Sequence, residues 1–393
     1  MHNESLEGVQ VTLVTPSPKH KVAAARVGGF INILRTRGAR INLLCYLPYS
    51  DKFAIKREKT DGLVNSITLC FPSRWPRFLK GLLLLAFNSA YTLKYSRTSH
   101  VILAGCGSML LNAPVIIASK LSRKPFIYDW QDLEVEKIPE VIFKYLLRQA
   151  TTVLGVSHYL CEKARGYGCK TVVYTPCFVD VNHFQIDEEA REKVRNRWGV
   201  KRDNVVIGYA GLLHKGEGVA VLLQTFKGLL TKHKHIRLAI LGVLIPTGEW
   251  VDVPQLTKDL HLEDTVIIVP PVIHSEVPNI LSACDILCAP KLDTEVNRAA
   301  IPIKVIEYLS MGLPTVTTTV GELNRIVIDR VNGFMAKPGD VEDLEAVLEE
   351  IILNPEHSQE VGRRGRVGIV NEFGIDAIEN TIVKSLISIL RKK

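Results

Sequence analysis

Short apolar runs alternate with longer amphipathic stretches along most of the chain. Residues 9–14 read as a buried strand and 22–37 as a helix that Gly38 stops. Runs at 41–46, 66–71, 101–104, 126–128, 152–156 and 171–174 continue this series, and runs at 205–209, 237–241, 266–269, 286–289 and 315–318 form a second one. Strands alternating with helices imply mostly parallel sheets, so the chain reads as two α/β halves. The polar stretch 180–199 predicts a helical crossing between them. The last helix, 375–390, carries Ile378, Ile382, Leu386 and Ile389 on one stripe and must dock on a core. Gly28 and Gly29 fall inside the first helix, where they read as close-packing positions. Nothing after the first strand matches a dinucleotide-binding glycine pattern, which argues against a nicotinamide dehydrogenase.

The stretch 297–316, NRAAIPIKVIEYLSMGLPTV, predicts a short, sharply bounded helix. Pro302 suits its first position, Gly312 the position past its end, and Pro314 blocks continuation. Lys304, Glu307 and Tyr308 then share a face, while Ile303, Ile306 and Leu309 turn toward a core. Free N–H groups at a helix start attract phosphate, and a carboxylate one turn on can accept both hydroxyls of a ribose. That outlines a nucleoside-diphosphate site. A surface Glu–Lys pair on an ordinary helix has the same spacing.

With 393 residues and 47% hydrophobic content, the chain can fill two cores. Charge is uneven. Residues 19–124 hold 18 Lys and Arg against only Asp51, Glu58 and Asp61, so the remainder of a chain of net charge +8 is mildly acidic. A basic half favours an anionic partner, and the segment 74–97 sets Trp75, Phe78, Leu82, Leu85, Phe87 and Tyr91 among Arg and Lys, as a helix at an anionic membrane surface would. A buried helix with a basic end is the alternative. No nucleic-acid-binding motif accompanies the charge. The eight cysteines show no metal spacing and suit a reducing cytosol; no signal peptide or spanning segment is expected. No D-x-D tripeptide occurs, and no metal site is expected.

Asp293, Thr294, Asn297, Arg298, Pro302, Lys304, Glu307, Tyr308, Gly312 and Pro314 together resemble the donor motif of GT-B glycosyltransferases of the retaining family 4 type. The segments TPCFVDVNHF (175–184), PPVIHSEVPNILSACDILCAP (270–290) and VNGFMAKPGDVEDL (331–344) are also similar to that family. The resemblance implies two Rossmann-like doubly wound domains facing a cleft, at 1–185 and 186–374, with a helix at 375–393 crossing back to the first. It implies a hexose moved, with retention and without metal or cofactor, from a UDP- or GDP-sugar to a lipid-linked or polysaccharide acceptor. A cytoplasmic enzyme peripheral at the inner face of the membrane is the corresponding expectation.

By the same resemblance Glu307 holds the donor ribose and Lys304 contacts the diphosphate, with Asn297 and Arg298 in the donor motif. The family's earlier glutamate is Ala299 here, which leaves Glu295 or Asp293 to reach the sugar. GLLHKGEGV, from Gly211, resembles a loop whose Arg and Lys neutralise the diphosphate; those positions hold Leu212 and Glu217, so the site leans on Lys215 and Lys304. IYDWQDL resembles Y-D-x-H-D-L, placing Asp132 and Gln131 near the sugar and acceptor. Gln131 replaces a histidine and cannot carry a proton. Arg26 resembles the arginine of a D-P-R-V-type start and is assigned to the acceptor side. The departures at Leu212, Glu217, Ala299 and Gln131 also fit a sugar-nucleotide-binding or scaffolding subunit with decayed catalysis.

Overall fold

The computed structural model describes residues 5–16, 24–105, 112–133, 138–243 and 249–391. It divides into two units, Met1–Pro176 with Ile378–Lys393, and Cys177–Ala377.

In the first unit the described strands are β1 (Gln10–Pro16), β2 (Arg40–Ser50), β3 (Ala54–Thr60), β4 (Val64–Pro72), β5 (Val101–Gly105), β6 (Phe126–Trp130), β7 (Thr152–Gly155) and β8 (Val172–Tyr174), in the order β3-β4-β2-β1-β5-β6-β7-β8. All neighbours are parallel except β3, which runs antiparallel to β4. β5 and β6 are buried along their whole length, as a parallel strand covered on both faces must be, and so read as apolar runs. β3, AIKREKT, has no such run. It is an exposed edge whose charges discourage pairing with another chain, and apolar patterning misses it.

The second unit holds β9 (Val205–Leu212), β10 (Ile236–Val243), β11 (Val266–Val269), β12 (Ile286–Cys288), β13 (Thr315–Thr318) and β14 (Phe334–Ala336), all parallel in the order β11-β10-β9-β12-β13-β14. Its core gathers Tyr209, Leu222, Phe226, Ile240, Phe334 and Leu348. The C-terminal end of the central strand β9 carries Gly211 to the site described below.

The division falls after Pro176, where the expected boundary was 185. Backbone contacts explain the difference. Val179 N–H donates to Phe373 O at 2.9 Å and Val179 O accepts from Ile375 N–H at 3.1 Å, while the Arg366 guanidinium donates to Val181 O and Phe184 O. This segment is therefore a strap of the second unit. Only Glu188–Arg197 of the predicted 180–199 helix is helical; it starts where Asp187 caps it by accepting from Ala190 N–H. The last helix, Ile375–Arg391, buries all four residues of its stripe and from Ile378 belongs to the first unit, where Glu379 pairs with Arg37 at 2.5 Å.

Two packing expectations are corrected. A Cβ at Gly28 in the helix Ala24–Thr36 would meet nothing within 4 Å, so this glycine is not a close-packing position; it lines a cavity of about 360 Å³ with Leu43, Cys45 and Val64. The helical start expected at Val22 lies outside the described residues. In the helix Arg77–Ser96, Phe87 is buried beneath the apolar face and Trp75 stacks on Phe53, leaving Phe78 and Leu82 as the exposed members of the expected interfacial group, at 71% and 58%.

Candidate active site

The 297–316 segment folds as two helices, Glu295–Ala299 and Ile303–Ser310. Thr294 starts the first by accepting from Asn297 N–H. Pro302 precedes the second by one residue, and Gly312 ends it at φ +74°. Lys304 is thus the second helical residue and Glu307 lies on the next turn. The predicted polar face is narrower than expected. Tyr308 is fully buried, donating its hydroxyl to Ala210 O at 2.8 Å and accepting from Ala210 N–H at 2.5 Å, so it fastens this helix to β9.

Lys304 reaches back over the end of β9. Its ammonium lies 4.5 Å from the Tyr209 ring centroid and donates to the Tyr209 hydroxyl at 2.9 Å and to Glu217 Oε2 at 2.7 Å. A Cβ at Gly211 would stand 2.5 Å from Nζ, so glycine there admits the lysine. Lys291, just beyond β12, donates to both oxygens of Glu217 at 2.9 and 3.0 Å. All three charged side chains are nearly buried. Burial alone would raise the Glu217 carboxyl, but the charges of Lys304 and Lys291 hold it at about 2. Burial pushes the Tyr209 phenol well up, with the Glu217 charge adding to it, so this hydroxyl stays protonated.

Glu217 sits on a tight turn, Lys215–Glu217, closed by Gly218 at φ +77°, where a Cβ would collide with Pro290 O. Gly216 N–H donates to His214 Nδ1, and Gly216 O accepts from Leu292 N–H and Asn297 Nδ2. Asn297 also donates to Leu292 O, so its buried amide nitrogen is a brace between loops. Lys215 does not join the cluster: it pairs with Glu249 at 3.0 Å in an exposed bridge. Arg298 is likewise outside, in an exposed bidentate pair with Asp293. Glu295 is exposed in the first turn of its helix.

Glu307 is buried and its Oε1 lies 2.7 Å from His274 Nε2. That hydrogen bond raises the His274 pKa against the opposing effect of burial. His274 was not singled out by the sequence, nor was Lys291. A cation directly after the apolar run ILCAP was the available signal for Lys291.

In the first unit Arg26 is buried. It donates to both oxygens of Asp129, at 3.1 and 2.7 Å, to Pro176 O at 2.6 Å and to Thr175 O at 2.9 Å. It ties the end of β6 to the chain after β8, a structural role beside the acceptor-side one expected for it. Gln131 donates to Asp129 Oδ2 at 2.5 Å, and Asp132 is exposed in the loop after β6.

Residues 190–367 match the family described as glycosyl transferases group 1. A D-inositol 3-phosphate glycosyltransferase of Saccharomonospora viridis is 27% identical over 194 residues, 48% of this chain and 43% of that protein. CapM, a capsular polysaccharide biosynthesis glycosyltransferase of Staphylococcus aureus, is 24% identical over 304 residues, 68% of this chain and 73% of CapM. The chain therefore spans less than half of the first relative and about three quarters of the second. Anabaena HepE in complex with UDP-glucose superposes with TM-score 0.74 over 96% of this chain and 99% of HepE at 18% identity, a likeness of fold. The family match therefore falls within the second unit, and the likeness to solved structures gives the chain the GT-B fold.

Proposed function

We propose that the protein is a retaining glycosyltransferase that moves a hexose from a UDP- or GDP-sugar to a lipid-linked or polysaccharide acceptor, without a metal ion. The observation that carries this reading is the arrangement on the Ile303–Ser310 helix, a buried carboxylate one turn after a lysine whose ammonium meets the end of β9. Glu307 binds the donor ribose and Lys304 the diphosphate, whose charge grows as the glycosidic bond breaks. Gln131 and Asp132 approach the sugar and the acceptor. The leaving diphosphate takes the acceptor proton on the same face, so the reaction asks for positioned donors and not for a nucleophilic carboxylate with an acidic partner. The UDP-glucose complex of HepE and the polysaccharide role in the name of CapM support the donor and acceptor classes.

The acceptor reading places the first unit on an anionic membrane at the cytoplasmic face. Exposed Phe78 and Leu82 beside Arg74 and Arg77 support it. No helix among the described residues is long and apolar enough to cross a membrane.

A panel of UDP-, GDP- and dTDP-sugars screened by thermal shift tests the donor. A ligand at 100 times its dissociation constant adds ~2.7 kcal/mol, which the assay resolves. The second reading, a binding subunit with decayed catalysis, is favoured by the engagement of Lys304 with Glu217. Stabilisation by a nucleotide sugar without release of nucleotide over long incubation with membrane extract would select it.

A further inference from the structure

Two lysines from different segments meet on one carboxylate. Lys291 follows β12, Lys304 opens a helix, and the two oxygens of Glu217 accept three hydrogen bonds from their ammonium groups. Carboxylate and phosphate are bound by ammonium groups through the same charge-assisted geometry. The place where the oxygens of an incoming anion would bridge these lysines is therefore filled by the chain itself. The turn that carries Glu217 is braced at Gly216 by His214, Leu292 and Asn297, so the side chain can leave by rotation while the turn stays in place. The Tyr209 hydroxyl and ring hold Lys304 independently of Glu217.

We propose that Glu217 is an internal counter-ion of the donor site, standing in for the donor's diphosphate, and that Lys291 becomes a second diphosphate ligand when Glu217 is displaced. This rests on the donor reading above and adds to it an anion exchange. Glu217 sets donor affinity by competing with the phosphates. Removing it strengthens binding of any ligand that carries a diphosphate and does nothing for a ligand that lacks one. A strut that merely aims Lys304 has the opposite signature.

The experiment is titration calorimetry of the full chain with inorganic pyrophosphate, UDP, GDP, uridine and guanosine, on wild type, Glu217→Gln, Lys291→Met and the double variant. Glu217→Gln is expected to tighten pyrophosphate and the better diphosphate by about tenfold or more, the scale of one hydrogen bond to a charged group, and to leave the nucleosides unchanged. Lys291→Met is expected to weaken the same ligands by a similar factor. The double variant covers the case in which Glu217→Gln leaves two buried ammonium groups unbalanced and unfolds. It keeps one lysine against Tyr209 and should bind pyrophosphate more tightly than Lys291→Met alone. Weaker or unchanged diphosphate binding in Glu217→Gln, or in the double variant relative to Lys291→Met, overturns the proposal. Pyrophosphate that follows the expected pattern while neither nucleotide binds would uphold the counter-ion and remove the donor reading. Nucleotide binding indifferent to both substitutions would do the reverse, and no binding by any of them would remove both.

Discussion

His274 Nε2 lies 2.7 Å from Oε1 of Glu307, so the carboxylate expected to hold the donor ribose is already hydrogen-bonded within the second unit. The bond raises the His274 pKa above its ordinary value near 6.5. A group whose folded pKa is raised contributes stability that is fully present below the unfolded pKa and is lost as pH rises through the folded one. The difference in melting temperature between wild type and His274→Gln should therefore be largest below pH 6.5 and shrink as pH climbs past the raised value. Melts across this range check it. A gap that widens with pH would show that His274 is held as the neutral ring.

Glu307→Ala should weaken binding of the preferred nucleotide by ~1.5–3 kcal/mol, the range for hydrogen bonds to a charged group. Calorimetry with the diphosphate and with the 2′,3′-dideoxy analogue separates the roles. If Glu307 reads the ribose, the substitution costs nothing with the analogue, which lacks the hydroxyls.

Arg26→Ala should lower stability by about 3–5 kcal/mol, because it leaves Asp129 buried without its cation. Nucleotide affinity reads the second unit and should be unaffected. Chemical unfolding together with nucleotide titration distinguishes this brace from an acceptor contact, whose loss would spare stability and raise the acceptor KM.

The protein should sediment with anionic liposomes at low salt and release as salt rises, since the Debye length falls to about 10 Å at 0.1 M. Neutral liposomes should hold it weakly, and Leu82→Asp should abolish the residual binding by placing a charge on the exposed face of the Arg77–Ser96 helix. Sedimentation that ignored lipid charge, salt and this substitution would remove the membrane from the acceptor reading.

Transfer should proceed with retention of anomeric configuration and persist in EDTA. The anomeric coupling of the product by NMR, with and without chelator, decides both. An inverted product, or turnover lost on chelation and restored by Mg²⁺ or Mn²⁺, would sink the same-face mechanism while leaving the fold untouched.

Local signals determined the alternation of strands and helices, and with it the parallel sheets. Buried parallel strands such as β5 must be apolar on both faces, and Pro302 and Gly312 bound a helix through their own backbone preferences. The same helix displayed Lys304 and Glu307 to any reader of its sequence, because residues three apart share a face. β3 was illegible: its charges report a solvent-exposed edge, and only pairing with β4 makes it a strand. Partners were also decided by the tertiary structure alone. Lys304 meets Glu217 across 87 positions, Glu307 meets His274 across 33, and Arg26 meets Asp129 across 103. A sequence shows which charges exist, but burial forces each buried one to find its counter-charge wherever the fold brings one near, and that pairing turned Arg26 into a brace and set Glu217 between two lysines.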